Sequence, residues 1–164
     1  MHPDTPLPVG PGDDPAGRVL RQFRIVFNAV KTHFRQVESL AGVGGAQLWA
    51  LSVIAARPGI GVSDLGRAMD VHQSTASNLL KGLAERALVR TVKDTGDRRA
   101  LGLYLTADGE AVLRAAPAPF AGVLPDALAG LDARTLARLE RDLDKLIGAL
   151  AGDRGGAAIP LADL

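Results

Sequence analysis

Between Gly61 and Leu105 two helical patterns, a tight connection and a β-hairpin follow one another with almost no spare residues. Ser63 reads as the N-cap of a short helix whose Leu65, Ala68 and Met69 face inward. Asp70-Val71-His72 makes the connection, and a second helix runs from about Gln73 to Arg86 with Ala76, Leu79, Leu80 and Leu83 as its apolar face. Leu88 to Val92 is a β-type run, Lys93 to Asp97 a turn, and Leu101, Leu103 and Leu105 alternate as a half-buried strand should. With the helix at Ala46–Ala56 in front, this order predicts a mainly α fold with a small β-hairpin wing: a winged helix-turn-helix over 46–106.

The flanks predict a helical dimerisation arm over 16–45 and 107–151. Val19, Leu20, Phe23, Val26, Phe27, Val30, Phe34 and Val37 recur at three- and four-residue steps, one broad stripe on a helix of about six turns. Such a helix outreaches a small core, so a second chain is expected to bury part of it. Gly42, Gly44 and Gly45 end it. Thr106 caps the helix after the hairpin, and Pro117 and Pro119 break it. Asp132 caps a last helix striped by Leu136, Leu139, Leu143, Leu146, Ile147 and Leu150. Residues 1–15, with five prolines and two glycines, read as a flexible arm, and Gly-rich 152–164 as a flexible tail.

Nineteen Lys and Arg oppose eighteen Asp and Glu, so bulk charge points to no partner, and its distribution must decide. The second helix of the pair offers Gln73, Ser74, Thr75, Ser77 and Asn78 near its N-terminus. Hydroxyls reach phosphates, amides pair with base edges, and the helix dipole attracts anions, which suits a helix laid in a major groove. Lys81, Arg90 and Lys93 would neutralise phosphates, and Arg98 and Arg99 concentrate charge at the hairpin tip, where Arg98 would probe the minor groove. Asp97 would pair with Arg99 and fix that tip. Seven basic residues face five acids across 61–105, so position rather than total carries the argument.

The absence of cysteine removes disulfides and thiolate metal sites, and three histidines without ligand spacing predict no metal. No nucleophile elbow, P-loop or dinucleotide fingerprint occurs, so neither an enzyme nor a cofactor is expected. No apolar run of membrane-spanning length or signal-peptide pattern is seen, which predicts a cytoplasmic protein without a membrane partner. A winged-helix protein-interaction module without specific DNA binding is the competing class.

Residues 62–106, VSDLGRAMDVHQSTASNLLKGLAERALVRTVKDTGDRRALGLYLT, resemble the DNA-binding core of the MarR family of bacterial regulators. The resemblance rests on Leu65, on Ser74-Thr75-Ala76-Ser77, on Leu88-Val89, on Asp94, Asp97 and Arg99 in the wing, and on the closing Leu105-Thr106. With the flanking helices it extends over about 18–150. It implies a homodimer built from the first and last helices, acting on a roughly palindromic operator as a repressor relieved by a small anionic or aromatic ligand. It also places His33 and Trp49 beside the ligand cleft. Two departures stand out: Asn78 where relatives often carry a basic residue, and His72 where a hydroxyl cap is usual.

Overall fold

The computed structural model describes residues 14–93, 101–150 and 157–163. Seven helices and one hairpin make up its regular structure among these residues. They are α1 (Pro15–Ala41), α2 (Gly45–Ala56), α3 (Val62–Ala68), α4 (Gln73–Glu85), β1 (Val89–Lys93), β2 (Leu101–Leu105), α5 (Ala107–Ala115), α6 (Val123–Ala129) and α7 (Ala133–Ala149).

The core forms around α2, whose residues are apolar on nearly every side. Leu48, Ala50, Leu51 and Ile54 are wholly buried there. Around them pack Val37 of α1, Leu65 of α3, Leu80 and Leu83 of α4, Val89 of β1 and Leu103 of β2. Helices α3 and α4 cross closely because Gly66 leaves room: a Cβ there would lie 3.3 Å from the Val71 carbonyl oxygen. The connection turns at Asp70, whose φ of 54° is left-handed, a conformation that Asp tolerates. The N–H of Val71 closes it on the Gly66 carbonyl at 2.9 Å.

Strands β1 and β2 are antiparallel, Val89 opposite Leu105 and Lys93 opposite Leu101. Leu101, Leu103 and Leu105 share one face; Leu103 is buried and Leu105 half-buried, while Leu101, at the outer end of the hairpin, lies exposed. Gly59 and Ile60 extend the ladder, since the N–H of Gly59 donates to Leu103 at 2.8 Å and the N–H of Leu103 to Ile60 at 3.0 Å. Thr106 ties the hairpin to α5. Its Oγ1 donates to the Ala87 carbonyl at 2.7 Å and accepts from the N–H of Gly109 at 3.1 Å. Helix α5 approaches β1 so closely that a Cβ on Gly109 would collide with the Leu88 carbonyl.

Helix ends show why the chain divides as it does. Gly42, at φ 68°, terminates α1 with its N–H on the Glu38 carbonyl. Asp132 caps α7 through the N–H of Thr135 at 2.9 Å and that residue's hydroxyl at 2.8 Å. These bonds hold its carboxyl below the usual carboxylate range. Ser63 is not the cap of α3: the helix starts two residues earlier, with Gly61 at the cap and the N–H of Leu65 on the Gly61 carbonyl. The N-terminal expectation also shifts, because Asp14 caps α1 and Pro15 is already helical. Part of the expected flexible tail is structured: Leu161–Asp163 forms a 3-10 turn against α1 and α2, and Pro160 before it is buried.

Two helices keep their apolar faces in water. On α1 only His33 and Val37 are buried, while Val19, Leu20, Val26 and Phe27 are exposed. On α7 no residue is buried, and Leu136, Leu139, Leu143, Leu146 and Leu150 line one exposed stripe. Among the described residues no single helix is long and apolar enough to cross a membrane.

Candidate nucleic-acid interface

Helix α4 buries one face and offers the other. Ala76, Leu80 and Leu83 anchor it in the core. Ser74, Ser77, Asn78 and Lys81 follow at steps of three and four, so all four exposed side chains share one stripe about 10 Å long. Gln73 lies exposed at the helix start, whereas Thr75 is half-buried beside Ala76. Of the five polar residues read as surface contacts, Thr75 is thus the least accessible. The N-cap His72 makes no side-chain hydrogen bond to the helix. The first-turn N–H groups of α4 therefore have no capping side chain, and they carry the positive end of the helix dipole.

Charge around this helix is uneven. Lys81 and Lys93 are exposed. The Arg90 guanidinium lies 5.0 Å from the centre of the Tyr104 ring, its partner across the hairpin, in cation–π geometry. This restrains Arg90 against the hairpin. Arg67 is engaged by Asp64 at 2.9 Å. Arg86 reaches the C-terminal end of α1, its Nη2 3.9 Å from where a Cβ on Gly42 would be. Asp94, Asp97, Arg98 and Arg99 lie outside the described residues.

The two residues expected beside a ligand cleft part company. His33 is buried and donates from Nε2 to the Pro119 carbonyl at 3.0 Å, which ties α1 to the segment between α5 and α6. Nothing in the sequence pairs these residues, which are 86 positions apart. Trp49 is half-buried and lines a cavity of about 400 Å³ with Phe34, Met69 and Leu128. A larger cavity of about 620 Å³ lies along α1, between Phe27, Phe34, Lys31 and Arg35. His33 lines neither.

Residues 41–100 match the model of the MarR family. The winged helix is a MarR-family domain. Solved MarR-type structures share its fold across most of the chain. One is a MepR–DNA complex from S. aureus, 20% identical, with a TM-score of 0.55 over 79% of this chain and 94% of that one. Another is a cysteine-to-serine mutant of MarR from E. coli complexed with operator DNA, 18% identical, with a TM-score of 0.53 over 82% and 99%. A third is the transcriptional regulator PcaV from Streptomyces coelicolor in complex with its natural ligand, 22% identical, with a TM-score of 0.52 over 88% and 99%. Among curated proteins, none matches the sequence significantly. In this MarR-family domain the helix-turn-helix pair is α3 and α4, and β1 and β2 form the wing.

Proposed function

We propose that this chain is a transcription regulator that binds duplex DNA as a homodimer, with α4 in the major groove. The exposed stripe of Ser74, Ser77, Asn78 and Lys81 on α4 carries the reading. A helix 10–12 Å across fits a groove about 12 Å wide, and short polar side chains let the helix approach base edges closely. Asn78 would pair with adenine, Ser74 and Ser77 would meet phosphate oxygens, and Lys81 would neutralise a phosphate. Gln73 would reach the groove from the first turn, with Thr75 supporting the helix rather than touching DNA. Lys93 and Arg90, with Arg98 and Arg99 at the wing tip, would follow the flanking backbone and minor groove.

The DNA complexes of MepR and MarR support this use of the fold. The uncovered stripes of α1 and α7 support a two-fold dimer arm, and a two-fold protein calls for a roughly palindromic operator. The cavities between α1 and the winged helix, together with the PcaV–ligand complex, favour a repressor relieved by a small molecule.

Fluorescence anisotropy on the DNA upstream of the chain's own gene tests the core of this reading. Binding should prefer that DNA to a shuffled duplex and weaken with salt at about 0.9 log units per phosphate contact. Lys81→Ala should shallow the salt slope by about one contact. Equal affinity for both duplexes would instead indicate a winged-helix interaction module.

A further inference from the structure

The two cavities beside α1 share residues. Phe34, Gly45, Leu161 and Ala162 border both. The chain's own C-terminal segment is thus part of the divider between them, beside the Phe34 ring, which packs on Gly45. Without the segment the two voids would open to each other around Phe34, as one trough from Phe27 on α1 to Met69 of the winged helix.

The segment suits burial. Ala157 to Ala162 is entirely apolar. Pro160 is its buried residue, and a proline brings no N–H that would need a partner. The Pro160 carbonyl accepts from the N–H of Asp163 at 2.9 Å, which closes the turn. Ala162 sits on the start of α2, its Cβ 3.0 Å from where a side chain on Gly45 would begin. Yet the seat is shallow, since Ile159 and Leu161 remain 45% and 40% exposed. A contact of this kind holds a cleft without locking it.

The trough would take a particular chemistry once vacated. Phe27, Phe34 and Trp49 supply aromatic surface, and Lys31 and Arg35 outnumber Glu38 on the α1 side. Asp70 is the charged residue on the other side. A planar aromatic anion fits these groups, its ring on the aromatic walls and its charge toward α1.

We propose that Ala157–Asp163 is an intramolecular plug of this trough, and that an aromatic anion must displace it to bind. The inference rests on reading the trough as a ligand cleft. Because the segment is tethered, it competes at an effective concentration on the order of millimolar, whatever the protein concentration. Regulation would then act by exchange of one occupant for another.

Trp49 is the only tryptophan, so its emission reports on the trough. Two variants serve: a chain ending at Gly156, and full-length Pro160→Asp, which places a carboxylate at the buried position. Circular dichroism establishes that both remain folded. The probe is 8-anilinonaphthalene-1-sulfonate, read by energy transfer from Trp49. Both variants should at least double the acrylamide quenching of Trp49 and bind the probe at least five-fold more tightly than the parent chain. Unchanged quenching would overturn the plug. So would equal probe affinity in all three proteins, while leaving a ligand cleft in place. Enhanced quenching without probe binding in any of them would overturn the cleft reading and the proposal with it. DNA binding, measured separately, bears on neither outcome.

Discussion

Replacing Leu143 with glutamate probes the face on which the proposed homodimer depends. Leu143 lies mid-way along α7 and is 40% exposed, with Leu139 and Leu146 beside it at 39% each. Fully burying a leucine contributes about 1.5–3 kcal/mol, so the exposed part of Leu143 has roughly 1 kcal/mol still to gain. A two-fold interface counts each position twice, which makes the lost burial about 2 kcal/mol. Two glutamates at an apolar seam add desolvation of about 1 kcal/mol each if water reaches its edge, and more if it does not. The total of about 4 kcal/mol corresponds to nearly a thousand-fold rise in Kd, at 1.4 kcal/mol per decade. Sedimentation velocity across a dilution series should therefore show a dimer for the parent and a monomer for Leu143→Glu at equal concentration. Arg141→Glu on the polar side of α7 changes charge without touching the stripe and should remain dimeric. A Leu143→Glu protein that dimerises as tightly as the parent would refute the reasoning, because the stripe would then not be the interface.

Other perturbations separate the remaining claims. Asn78→Ala should relax preference at one base pair by about 1–3 kcal/mol, seen in a binding-site selection; an unaltered selected sequence removes Asn78 from base contact. Gly109→Ala should destabilise the fold by about 1–3 kcal/mol in urea titration, although alanine is the better helix former, because its Cβ meets the Leu88 carbonyl. A stabilised variant would mean that α5 stands further from the wing. The depressed Asp132 carboxyl stabilises α7 when ionised, so this contribution is full above the ordinary carboxylate pKa and is lost as pH falls through the lowered value. Asp132→Ala should remove that acid limb from the helicity profile, and an identical limb in both proteins would assign it elsewhere.

What the sequence reveals is governed by range. Gly42, Thr106 and Asp132 end or start helices through bonds within a few residues or across one turn, and each is recognisable from its own neighbourhood. The α4 stripe is legible because a period of 3.6 separates Ala76, Leu80 and Leu83 from Ser74, Ser77 and Asn78. Ser63 misleads because a hydroxyl is the commoner cap, whereas packing starts α3 at Gly61, whose carbonyl accepts the first helical bond. The C-terminal segment misleads differently. Its glycines dominate the local composition, while Ile159, Pro160 and Leu161 find their surface on helices more than a hundred residues away. The bond from His33 to Pro119 and the stacking of Arg90 on Tyr104 are likewise products of tertiary structure and hairpin register.

The near-collision of Gly109 with Leu88 has a mechanical consequence. With no side chain between them, α5 is welded to the root of the wing, and Thr106 clamps the same joint to the end of α4 through Ala87. The reading head and its stem are one casting. In the proposed dimer, movement of the arm would then be taken up outside that joint, at the two seams around Gly42–Gly44 after α1 and through Ala116–Gly122 before α6, where Gly122 takes a φ of 100°. His33 spans from α1 to the second seam. Spacing between two recognition helices would thus be set at these hinges, as the opening of callipers is set at the pivot and not at the points.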